Sequence, residues 1–156
     1  MRRIGITGGI GSGKSVVSRL LRIMGYSVYD TDSEAKRLME SSLEVVQKLS
    51  ECFGRDIYHN GRLNRGLLSS RVFGKSDKIV LLNSIVHPVV RFDFYRWSES
   101  LNEEICFVES AILYESRFDE LVDEVWTVTA PEELRISRVR QRSGLTEEEI
   151  KKRMAA

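Results

Sequence analysis

Gly8-Gly9-Ile10-Gly11-Ser12-Gly13-Lys14-Ser15 decides the reading of this chain. It fits the phosphate-loop pattern G-x-x-x-x-G-K-[ST], with Gly8, Gly13, Lys14 and Ser15 at the fixed positions. Each residue type has a physical reason. The glycines let the backbone turn tightly and bring its N–H groups close to an anion. A helix that follows points its positive end at the same phosphates. Lys14 reaches the β- and γ-phosphates as a point charge, and the Ser15 hydroxyl is suited to Mg²⁺. The flanks agree with the motif. Arg3 to Thr7 reads as a short buried strand. Val16 to Met24 reads as a helix with Val16, Val17, Leu20, Leu21 and Met24 as its apolar residues. A glycine-rich turn without a ligand is the alternative, and it leaves this agreement unexplained. The stretch is a nucleotide-triphosphate site in search of an acceptor.

Composition bounds the rest. The chain of 156 residues suits one domain, or one domain with an insertion. A net charge of +1 gives no global field for nucleic acid or a membrane surface, so any anion site is local. Cys52 and Cys106 lack metal-ligand spacing and read as reduced structural residues of a cytoplasmic protein. No apolar run reaches transmembrane length, and the N-terminus enters a strand at once.

Outward from the loop, Gly25 is expected to end the first helix, and Tyr26 to Tyr29 to form a strand ending at Asp30-Thr31-Asp32. Thr31 with Glu34 reads as a capping box, which leaves Asp32 free of that duty. Asp30 and Asp32 then lie past the carboxyl end of a strand, where open parallel sheets place ligands. They serve an acceptor hydroxyl or a metal, or they are solvated charges favouring a helix start. Ser41 with Glu44 reads as a second box, opening a helix with Leu43, Val46, Leu49 and Phe53 on its apolar side. Asn60-Gly61 reads as a turn beside an exposed His59, and Asn64 as the cap of a short helix. Helix over 77–86 is expected to break or kink at Pro88, with His87 at the break, and to resume from Val89. Residues 33–101 thus read as wholly helical, an acceptor-binding insertion without a strand.

Ile105-Cys106-Phe107-Val108 is a continuous apolar run and reads as a central parallel strand. It ends at Glu109, either a Mg²⁺-supporting acid or a strand-end charge. Residues 124–129 read as the next strand, and Pro131 opens a helix. That helix carries Arg135, Arg138 and Arg142 on one face, with Arg140 aside. The stripe suits phosphoryl oxygens, or is a solvated face. Thr146 with Glu149 is a third capping box.

Taken together these stretches resemble the dephospho-CoA kinase family across essentially the whole chain. The resemblance rests on Ile6-Thr7 with the loop, on Asp30-Thr31-Asp32, and on Asn60-Gly61-Arg62-Leu63-Asn64-Arg65 with Val72-Phe73. It also rests on Leu82-Asn83-Ser84-Ile85-Val86-His87-Pro88, and on Arg138, Arg142-Ser143-Gly144-Leu145 and Arg153 as a lid. It departs where Glu109 and Ala111 stand in place of the aspartate and proline of many members. It implies a P-loop α/β fold: a parallel sheet flanked by helices, a core of 1–32 and 102–156, a lid near 138–153 and the helical insertion 33–101. It implies ATP, with Mg²⁺, on Gly9, Ile10, Gly11, Ser12, Gly13, Lys14, Ser15, Val16, Arg138 and Arg142. Dephospho-CoA is expected on Asp32, Arg65, His87 and Glu115. Asp32 faces the ribose 3′-hydroxyl and is catalytic with Lys14 and Arg142. The metal is expected on Ser15, with Asp30, Asp32 or Glu109 as its acid. No nucleic acid or membrane partner is expected.

Two other readings stay open at this point: another small-molecule or nucleoside monophosphate kinase, and an ATP-binding regulatory module. A guanine-reading N-K-x-D motif is missing, which counts against a G-protein switch. The resemblance also implies a fifth strand and closing helix after the lid, so the expectation is that these 156 residues are part of a longer chain.

Overall fold

The structure is a computed structural model and describes residues 1–155. In chain order its elements are β1 Arg2–Thr7, α1 Lys14–Ile23, β2 Val28–Asp30, α2 Thr31–Ser41, α3 Leu43–Phe53, β3 Tyr58–His59 and β4 Arg62–Leu63. There follow α4 Arg65–Val72, α5 Ser76–Ser100, β5 Ile105–Glu109, β6 Glu124–Thr127, α6 Glu132–Ser143 and α7 Glu147–Ala155. Two compact units divide the chain: Met1–Asp30 with the chain from Asn102 onward, and Thr31–Leu101.

The first unit is a parallel four-stranded sheet in the order β2-β5-β1-β6. Its register brings the carboxyl ends of the strands together: Ile6 and Asp30 are both partnered to Glu109, and Thr7 to Thr127. β1 and β5 are interior strands and read as near-continuous apolar runs for that reason. Ile4, Ile6, Leu21 and Phe107 form a buried cluster, with Val17, Val28, Ile105 and Val128 packed on it. Phe107 also meets Tyr26 edge-on and Trp126 at a tilt, with ring centroids 5.5 and 5.3 Å apart. α1 forms where the sequence expects a helix, and its apolar residues are unequally covered. Leu21 is buried, but Val16, Leu20 and Met24 are exposed. Helical periodicity identifies a stripe but not how much of it a neighbour covers.

A second small core holds the end of this unit. Ile136 and Val139 of α6 pack against Ile150 of α7, with Ile10, Leu145 and Met154 around them. The Thr146–Glu149 box starts α7 as expected: Glu149 accepts from the Thr146 N–H, and the Glu149 N–H donates to Thr146 Oγ1.

The second unit buries Leu38 of α2, Val45, Leu49 and Phe53 of α3, Leu68 and Val72 of α4, and Ile85, Val86, Val90 and Phe94 of α5. Four expectations are corrected here. The helix after β2 begins at Thr31 itself, so Thr31 and Asp32 both lie in its first turn. Ser41 closes α2, its hydroxyl donating to Arg37 O, and Ser42 precedes α3. The buried stripe of α3 is therefore Val45-Leu49-Phe53, while Leu43 is exposed. The unit is also not wholly helical. Asn60 and Gly61, at φ 50° and 75°, turn β3 back on β4 as a two-residue hairpin, with Tyr58 opposite Leu63. Lastly, of the break or kink expected at Pro88, the break does not occur: α5 runs for 25 residues through it. Proline forfeits one backbone bond, but apolar contacts on both sides, at Ile85, Val86, Val90 and Phe94, hold the helix together. The Asn64 cap is as expected, accepting from the Leu67 N–H at 3.0 Å.

Candidate functional site

The phosphate loop leaves the end of β1, an interior strand, and runs into α1. Gly13 precedes that helix at φ 107°, and the first turn of α1 carries no acidic residue. Its positive end is thus uncancelled by any side chain of that turn. Gly11 shows why a glycine is needed. Its φ is 75°, and a Cβ there would lie 2.6 Å from the Arg135 carbonyl.

Two side chains fold back on the loop. Lys14 Nζ donates to Gly8 O at 2.6 Å, which holds the ammonium over the loop. Ser15 Oγ donates to Glu109 Oε1 at 3.0 Å, linking residues 94 positions apart. Glu109 is buried at the end of β5, and Asp30 lies beside it in register on β2. Of the acids left open by the sequence, Glu109 is thus the one that touches Ser15. The Ser12 and Ser110 hydroxyls nearby in sequence are buried without a hydrogen-bond partner.

Two α6 arginines also bond the loop. Arg138 Nη1 donates to Gly11 O and Ser12 O at 3.3 and 3.2 Å. Arg135 Nε donates to Ile10 O at 3.0 Å. The sequence read Arg135 only as part of a stripe suited to phosphoryl oxygens or solvent, and did not foresee its bond to a loop carbonyl. Its only signal was the spacing of three to Arg138. Arg142 is exposed on the last turn of α6, and Arg140 pairs with Glu147 instead. Val16 is exposed in the first turn of α1, and Glu115 is exposed in the turns after β5.

The remaining acceptor candidates belong to the second unit. Asp32 is in the first turn of α2. Arg65 opens α4 and pairs with Glu40 at 3.3 Å. His87 is half-buried in α5, and desolvation pushes its imidazole below the ordinary value. Tyr58, whose hydroxyl donates to Met39 O, is pushed up to about 12 by burial and by the charge of Glu40. Of the cysteines, Cys106 is buried and Cys52 exposed. Among the described residues no helix is long and apolar enough to cross a membrane.

Comparison with known proteins gives one answer. The family model for dephospho-CoA kinase matches residues 2–156. A dephospho-CoA kinase of Porphyromonas gingivalis is 46% identical over 154 residues, covering 99% of this chain and 76% of the relative. The crystal structure of TT1252 from Thermus thermophilus is 38% identical with a TM-score of 0.80, over 97% of this chain and 78% of that one. A dephospho-CoA kinase from Campylobacter jejuni, 23% identical, shares the fold with a TM-score of 0.71 over 99% of this chain and 80% of that one. A phosphate loop on a parallel sheet, its serine bonded to a strand-end carboxylate, agrees with these matches: the chain belongs to the dephospho-CoA kinase family.

Proposed function

We propose that this chain transfers the γ-phosphoryl group of ATP to the 3′-hydroxyl of dephospho-CoA, giving coenzyme A and ADP. The observation that carries the reading, beside family membership, is the Gly8–Ser15 loop at the carboxyl end of β1 with Ser15 bonded to buried Glu109. Phosphoryl transfer passes through a loose transition state, so the protein's task is positioning and charge stabilisation. The loop N–H groups and Lys14 hold the triphosphate. Arg138 and Arg142 act on its outer oxygens and help to exclude water.

The donors near the loop suit Mg²⁺. The Ser15 hydroxyl and the Glu109 carboxylate are both oxygen ligands, 3.0 Å apart. Among the described residues no group of three or more His, Cys, Asp or Glu forms a metal cage. When bound, Mg²⁺ neutralises charge on the β- and γ-phosphates. Asp32 orients the acceptor hydroxyl and takes its proton, while Arg65, His87 and Glu115 contact the rest of dephospho-CoA. The working partners are small molecules, and the working compartment is the cytoplasm.

A coupled ADP-release assay tests this. Turnover with dephospho-CoA, and none above background with nucleoside monophosphates, is expected. Turnover with a monophosphate alone refutes it, and ATP binding without turnover on any acceptor points to a regulatory module.

A further inference from the structure

This inference rests on the reading of Gly8–Ser15 as the triphosphate site. Every carbonyl from Gly8 to Gly13 accepts a hydrogen bond. Gly8 O takes Lys14 Nζ, Gly9 O takes the Ser12 N–H, and Gly13 O takes the Val16 and Val17 N–H groups. Those donors belong to the loop and the helix it opens. The three carbonyls between them are held from elsewhere. Ile10 O takes Arg135 Nε, and Gly11 O and Ser12 O share Arg138 Nη1. Three of these six carbonyls therefore depend on α6, more than 120 residues away in sequence.

A trans peptide is planar, with its C=O and its N–H on opposite sides. Fixing Ile10 O toward α6 thus turns the Gly11 N–H away from α6. The same peptide is held again through its side chain, because Ile10 packs on the Ile136–Val139–Ile150 cluster. The guanidinium of Arg135 also occupies the space that a Cβ on Gly9 would take. Arg135 differs from its neighbours on the helix. It is partly buried and makes its loop bond through Nε at 3.0 Å, whereas Arg138 is exposed and shares one nitrogen between two longer bonds.

We infer that Arg135 is a positioning residue for the phosphate loop: through Ile10 O it fixes the Ile10–Gly11 peptide and presents the Gly11 N–H to a phosphate oxygen. It acts through the loop rather than on the nucleotide. The donor matters, and the aliphatic stem serves only packing.

The test compares the parent with Arg135→Met, Arg135→Lys and Lys14→Ala, using calorimetric titration with Mg-ATP, steady-state kinetics and the amide resonance of Gly11. Methionine keeps the stem and loses the donor. Arg135→Met should bind ATP about tenfold more weakly, about 1.4 kcal/mol, with the KM for ATP raised in step. The KM for dephospho-CoA and the melting temperature should hold, and the Gly11 resonance should move. Arg135→Lys, still a charged donor, should recover part of the affinity. If Arg135→Met binds ATP like the parent while Lys14→Ala does not, this inference fails and the reading of the loop survives. If Lys14→Ala also binds like the parent, that reading falls and takes this one with it. A loss shared equally by ATP affinity, dephospho-CoA KM and melting temperature, and not recovered by lysine, makes Arg135 a packing residue and overturns the assignment.

Discussion

Glu109→Gln is the sharpest perturbation the site offers. Glutamine has nearly the same shape and keeps an oxygen that accepts from Ser15 Oγ, 3.0 Å away in the parent. Glu109 is only 8% exposed, and a buried neutral amide costs less than a buried charge, so folding should be unharmed or slightly favoured. What is removed is one full negative charge beside Ser15, where Mg²⁺ is proposed to sit. At about 4 Å and an effective dielectric near 20, one unit charge acting on another is worth roughly 4 kcal/mol. The second charge of the cation raises that figure, while its water and phosphate ligands offset part of it. Removing one oxyanion-hole donor, a preorganised electrostatic group of another kind, costs about 2.7–4 kcal/mol, and a fall of about a hundred- to a thousandfold in turnover is expected here on that scale. The assay is coupled ADP release at saturating dephospho-CoA, followed across a Mg²⁺ titration. The variant should need more Mg²⁺ and still fall short of parental turnover at saturation. A variant that matches the parent's rate and Mg²⁺ requirement, with an unchanged melting temperature, refutes the argument and makes the Ser15–Glu109 bond purely structural.

Lys14→Ala should lower turnover on the order of a hundredfold or more, read in the same assay, since it removes a charge aimed at the transferring group. Asp32→Asn keeps shape but not the proton acceptor. Turnover should drop by about two to four orders of magnitude with ATP affinity unchanged, and a collapse of ATP affinity instead would assign Asp32 to the metal. Ile150→Ala empties a fully buried position between α6 and α7. It should cost about 2–5 kcal/mol, seen as faster hydrogen exchange of the α7 amides, and unchanged exchange would mean that the small core does not hold α7. Desolvation holds the His87 imidazole below its ordinary value of 6.5, so the fold favours the neutral ring. The unfolded chain therefore binds the proton first as pH falls. The contribution to stability is present above 6.5 and lost as pH drops through that value toward the folded one. The parent's urea midpoint should thus fall more steeply than that of His87→Gln between neutral pH and about pH 5, and parallel curves would deny the shift.

What was legible from the sequence was local. The phosphate loop needs its glycines, lysine and serine within eight residues, so its chemistry is written in one stretch. The Thr146–Glu149 box and the Asn64 cap are read correctly because each satisfies orphan N–H groups only three residues away. The run Ile105–Glu109 announces an interior strand because both faces are covered. Errors arose where two local solutions compete and burial chooses. Ser41 and Ser42 both suit a helix start, but Val45, Leu49 and Phe53 had to face inward, which set the phase of α3. Pro88 marks a break locally, yet the packing along α5 outweighs one lost bond. The Asn60-Gly61 turn was legible, but the strands on either side of it escaped because strands of two residues have no period to show. The acid that meets Ser15 and the arginine that holds Ile10 are contacts across 94 and 125 residues. Spacing along the chain carries no information about such pairs. They exist only once parallel strands align their carboxyl ends and α6 packs against the loop, because a side chain's partner is set by where the backbone places both Cα atoms.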